Sequence, residues 1–160
     1  MKPALAVLGL LLSASVSSGQ NPDLLKGLRR LSIIVEDTGI AGQHIHLTSQ
    51  DLESQVLVGL RRDVPGLKII PHSYPYFYVS VVGVEDQFGC AFYIHVGVSR
   101  PTRILDDDSV EVAQGIAEVW GAGSGMIYTG NRDLMASKLR EYLNTQITNF
   151  AADYYKQNPN

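Results

Sequence analysis

The chain has 160 residues, 45% of them hydrophobic, with 13 Lys and Arg against 16 Asp and Glu for a net charge of −3. That length suits one domain with one substantial core, and the acidic balance argues against a nucleic-acid partner, which selects for a basic face. The lone Cys90 excludes an internal disulfide framework.

Met1-Lys2 give a positive start, Leu5 to Leu12 form an apolar run broken only by Gly9, and Ser13 to Gly19 supply small residues. The run is too short to cross a bilayer, so residues 1–19 are expected to be a secretory signal peptide cleaved near Ser18 or Gly19. No cysteine follows the run where a lipid anchor would need one. Residues 20–160 are then expected to form a single α+β domain, periplasmic or secreted, with no transmembrane segment.

Asn21 to Arg30 read as a lead-in with a helical turn, and Leu31 to Glu36 as a strand closed by Asp37-Thr38-Gly39. A linker runs to Leu47. Thr48 then has the features of an N-cap, with Asp51 at N3 and Leu47 and Leu52 placed as a hydrophobic staple. Leu52, Val56 and Leu60 recur every four residues and Leu57 widens the stripe, so the helix lays one face on a core until Pro65-Gly66 end it. The pairs Arg29-Arg30 and Arg61-Arg62 read as solvated helix edges.

Leu67 to Ile70 is a short second strand, Tyr76 to Val84 a third and Cys90 to Val98 a fourth. The turn Glu85 to Gly89 makes the last two an antiparallel hairpin. Cys90, Phe92, Ile94, Val96 and Val98 alternate with Ala91, Tyr93, His95, Gly97 and Ser99, the pattern of a strand with one dry and one wet face. On that pattern Cys90 falls on the apolar side, where an inert thiol belongs. Pro101 and Asp106-Asp107-Asp108 mark a loop. A fifth strand is expected from Val110 to Trp120, with a sixth at Met126 to Tyr128. Asn131 caps a final helix whose apolar side carries Met135, Leu139, Tyr142, Leu143, Ile147, Phe150 and Tyr154. The order predicts a two-layer α+β sandwich: a mostly antiparallel sheet of about five strands with two amphipathic helices on one face.

The stretch V-W-G-A-G-S-G-M-I-Y-T-G at 119–130 invites a phosphate loop or a catalytic serine. Met126 stands where a dinucleotide fingerprint needs its third glycine, and strand-like residues separate the glycines from the next helix. No lysine follows as a Walker loop requires, and Ala122 and Met126 flank Ser124 where a nucleophile elbow needs glycines. A turn, a bulge or a tight crossing in the sheet remains.

His44-Ile45-His46 has a spacing that zinc or copper accepts, with His72, His95 or the Asp106 to Asp108 loop as third-ligand candidates. Beyond that pair the sequence calls for no cofactor. His72, Tyr74, Tyr76 and Tyr78 fall at period two, opposite Phe77, Val79 and Val81. That aromatic stripe, with Tyr93 and His95, is the candidate binding face. No serine, histidine and acid are marked as partners, although a triad can assemble in space from distant residues.

The runs L-T-S-Q-D-L-E-S-Q-V-L-V-G-L-R-R, Y-P-Y-F-Y-V-S-V, E-V-W-G-A-G-S-G and I-T-N-F-A-A-D-Y-Y-K-Q-N-P span most of the expected mature chain. Together they resemble a loose group of uncharacterised secreted bacterial proteins. The resemblance implies a bacterial source and a framework role for Trp120 and its glycines, and it brings no catalytic residue. The sequence thus points to a non-catalytic domain that binds a protein partner in the bacterial envelope. A His-x-His metal protein and a hydrolase assembled only in the fold are the alternatives.

Overall fold

The computed structural model describes residues 22–39, 45–86, 89–105, 111–128 and 132–159. Its elements are a 3₁₀ turn (Pro22–Leu25), β1 (Arg30–Val35), α1 (Ser49–Asp63), β2 (Lys68–Ile69), β3 (Tyr76–Asp86), β4 (Gly89–Leu105), β5 (Glu111–Tyr128) and α2 (Arg132–Gln157). The strands form one open sheet in the order β2-β1-β3-β4-β5. The long pairings β3–β4 and β4–β5 are antiparallel, and β1 runs parallel to both β2 and β3. This is the expected α+β sandwich, with a short parallel margin added by the connection through α1. The expected signal segment and His44 lie outside the described residues, as do Asp106, Asp107 and Asp108, which were expected in a loop, and Asn131. So does the side chain of Cys90.

Local signals alone place α1. Thr48 Oγ1 accepts from the Asp51 backbone N–H at 3.1 Å, and the Asp51 carboxylate accepts from the Thr48 N–H at 2.9 Å. This reciprocal box satisfies two amides that would otherwise lack helical partners. Leu52, Val56 and Leu60 are fully buried, each stabilising the fold by about 1.5–3 kcal/mol through lost apolar surface. Where α1 crosses α2, Gly59 faces Ile147, and a Cβ there would lie 3.0 Å from the Ile147 side chain. At the rim of that crossing Gln55 donates to the Arg140 carbonyl at 2.8 Å and to Asn144 at 2.9 Å.

Beneath the helices, Phe77, Val79 and Val81 of β3 meet Phe92, Ile94, Val96 and Val98 of β4, all buried. Trp120 reaches this layer from β5 and packs with Phe77 and Phe150 at centroid distances of 6.3 and 5.4 Å. Its indole N–H donates to Asp153 at 3.1 Å, so the one polar atom of the ring keeps a partner inside the core. The 3₁₀ turn is tied to the end of α2, where Gln157 and Asn158 accept from the Leu25 and Gly27 amides at 2.8 and 2.7 Å.

Three expectations are corrected. The residues expected as two strands at 110–120 and 126–128 form the single strand β5, which runs straight through the glycines. Antiparallel pairing with β4 continues through Gly97↔Gly121, His95↔Gly123 and Tyr93↔Gly125, and these ladder hydrogen bonds offset the low strand preference of glycine. Pro101 lies inside β4 rather than in a loop. Proline is tolerated there because β3 ends its pairing at Ser99, leaving no ladder on that side for an N–H to serve. Arg29-Arg30 is not a helix edge, since Arg30 opens β1.

Candidate functional site

Opposite the face buried beneath the helices, the sheet carries the exposed side chains Ile34, Val82 and Tyr93. Register decides which side chains meet there. Ile34 of β1 stands beside Tyr78, Ser80 beside His95, and Val82 beside Tyr93. Tyr74, Tyr76 and Tyr78 form a ladder with ring centroids 5.5 and 6.4 Å apart, and His95 extends it 6.4 Å beyond Tyr78. The stripe read from the sequence therefore exists from Tyr74 onward. His72 is exposed in a turn, with φ at 54°, and stands apart from the ladder's period. Ile34, Tyr74, Val82 and Tyr93 are 42, 52, 57 and 49% exposed, large apolar side chains that a partner could cover.

Polar groups cross this face in a row. Ser80 Oγ donates to Glu36 at 2.6 Å. Hydrogen bonds from Ser80 and then Tyr78 hold the Glu36 carboxyl below the usual carboxylate range. Burial, followed by the hydrogen bond to Glu36 and then that carboxylate's charge, pushes the Tyr78 phenol up. Farther along, His95 Nε2 meets Glu118 Oε2 at 2.5 Å.

The glycines make room for that pair. A Cβ at Gly97 or at Gly121 would collide with the Glu118 carboxylate, and one at Gly123 would collide with the Tyr93 hydroxyl. The cleared strip thus admits side chains lying flat across the sheet rather than a phosphate or a second backbone. Glu118 reaches it because β5 carries a bulge. Val98 pairs with Trp120 and Ser99 with Glu118, leaving Val119 without a partner. Val119 and Trp120 consequently both point into the core, and Glu118 emerges on the opposite face. The sequence reading missed Glu118, although glycines at 121, 123 and 125 recurring at the strand period were a signal that one face lacks side chains.

Ser80, His95 and Glu118 stand on three adjacent strands, but they are not wired as a nucleophilic triad. The Ser80 hydroxyl donates to Glu36, and the His95 nitrogen facing Glu118 is the one that the triad geometry would turn toward serine. Of the proposed metal pair, His46 is exposed with φ at 52°. No cluster of three or more metal-capable side chains occurs among the described residues. Among the described residues, no helix is long and apolar enough to cross a membrane.

No protein-family model and no curated protein matches the chain. Among solved structures it is similar to a PelC variant, a dodecamer from Paraburkholderia phytofirmans, at 13% identity over 80% of this chain and 86% of that one, with a TM-score of 0.34. It is also similar to a putative neuraminyllactose-binding hemagglutinin homolog from Helicobacter pylori, at 8% identity over 86% and 87% of the two chains, TM-score 0.34. A minor lipoprotein from Acinetobacter baumannii shares 14% identity over 81% and 91%, TM-score 0.26. At these scores none of the three bears on what this chain binds.

Proposed function

We propose that the chain is a non-catalytic binding domain of the bacterial envelope, secreted or periplasmic, which holds a protein partner against the helix-free face of its sheet. One observation carries this reading: Ile34, Tyr74, Val82 and Tyr93 stand exposed around the Tyr76–Tyr78–His95 ladder. Tyrosines give large, stiff contact area at low entropic cost, and interfaces are enriched in them. The His95–Glu118 pair sets a polar point beside that area, which would fix the orientation of a partner. The signal-like N-terminus and the resemblance to secreted bacterial proteins support the compartment.

The test uses the purified chain as bait for a cross-linked envelope fraction of the source bacterium. Tyr78→Ser with Tyr93→Ser is expected to lower recovery of the specific partner at least tenfold while melting stays close to wild type. Undiminished recovery, or unfolding of the variant, refutes the reading, the latter by showing the tyrosines to be core.

A further inference from the structure

A second feature lies at the end of the sheet where β1 and β2 begin. A cleft of about 880 Å³ is lined there by Arg29, Arg30, Lys68 and Arg100, together with Tyr74 and Pro75. No acidic residue lines it, although acidic residues outnumber basic ones in the chain. Parallel register sets two of these charges side by side. Arg30 of β1 stands beside Lys68 of β2, and Arg100 enters from β4 just beyond the last pairing of β3. Arg100 is held in place by donating from Nη1 to the Leu24 carbonyl at 2.9 Å. Among the described residues, Arg29, Arg30 and Lys68 form no ion pair. Like charges gathered around one space repel one another, and an anion within it offsets that repulsion by its attraction to each of them.

We propose that this cleft binds a phosphate group, carried as a phosphomonoester or a diphosphate. Guanidinium forks match phosphate oxygens two at a time, and the Lys68 ammonium adds a mobile point charge. Tyr74, exposed at the rim, offers an aromatic face to whatever carries the phosphate. The site is separate from the protein-binding face proposed above. Tyr74 is the one residue of the aromatic ladder that also lines it.

Pyrophosphate is the probe, titrated calorimetrically into the purified chain at low and at moderate salt, and vesicles carrying phosphatidic acid, a phosphomonoester lipid, form a second arm. Binding that weakens with salt and falls at least tenfold in Arg30→Glu/Lys68→Glu supports the cleft. Arg140→Glu/Lys156→Glu makes the same change in net charge on exposed positions of α2, and it is expected to keep most of the binding. Vesicle binding lost only in the first variant would identify a lipid headgroup as the source of the phosphate. Absence of binding in both arms overturns the proposal, as does equal loss in the two variants or binding that survives the first. Should Arg30→Glu/Lys68→Glu melt early, Arg30→Gln/Lys68→Gln is read by the same criteria.

Discussion

A Cβ at Gly97 would meet the Glu118 carboxylate and also the Trp120 carbonyl oxygen at 3.2 Å, whereas the nearest atoms at Gly121 all belong to Glu118. A carboxylate at the end of a flexible side chain can swing away, and a carbonyl inside a ladder cannot. Gly121→Ala is therefore expected to cost less than about 1 kcal/mol, the upper value of a partly exposed side-chain pair. Gly97→Ala is expected to cost about 1–3 kcal/mol. In a Glu118→Ala background the first cost should vanish and most of the second should persist. Urea unfolding followed by the emission of Trp120, the single tryptophan, measures the two glycine variants, Glu118→Ala and the two double variants. Equal costs in both backgrounds would contradict this account of the glycines. The sequence placed Tyr93 and His95 on the wet side of β4 by simple alternation. It could not place Glu118, because alternation puts residues 118 and 120 on one face and the Val119 bulge separates them.

At the scale of elements, α1 was legible because its determinants lie within one stretch of chain: a cap, a third-position carboxylate and an apolar stripe. Thr48→Ala should lower stability by about 1 kcal/mol, and Thr48→Ser should restore most of it. A melting shift absent in both would mean that the box does not hold the helix end. β5 was not legible as one strand, since what holds its glycines extended is β4, whose pairing no property of residues 121–125 reports. The parallel placement of β1 was hidden for the same reason. Two residues of β2 carry its outer pairing, too few to leave a pattern.

For the molecule as a whole, titration sets a plateau of stability. Hydrogen bonds from Ser80, Thr48 and Arg62 depress the carboxyls of Glu36, Asp51 and Asp63. At Asp153, burial works upward, and the bonds from Lys156 and Trp120 prevail to bring it down. Depressed carboxyls bind fewer protons folded than unfolded, so their contribution is present above their ordinary values and is lost as pH falls through the folded ones. Burial raises the phenols of Tyr78, Tyr142 and Tyr154. Their contribution is complete below about pH 10 and disappears as pH rises through their folded values. The melting temperature should hold level from about pH 5 to 9 and fall on both sides, which scanning calorimetry would read directly. A rise in melting temperature between about pH 5 and 3 would contradict the carboxylate assignment.

The two irregularities of β5 matter at this scale as well. Its 18 residues form the last strand of the sheet, and a bare edge of that length is a template on which identical chains could zip together. Register breaks opposite Val98/Ser99 and Ile104/Leu105 divide it into unequal lengths. A second chain could keep step along only one of them before its hydrogen bonds fell out of phase. The bulge that turns Glu118 outward thus also helps keep neighbouring copies apart, a safeguard against aggregation at high concentration.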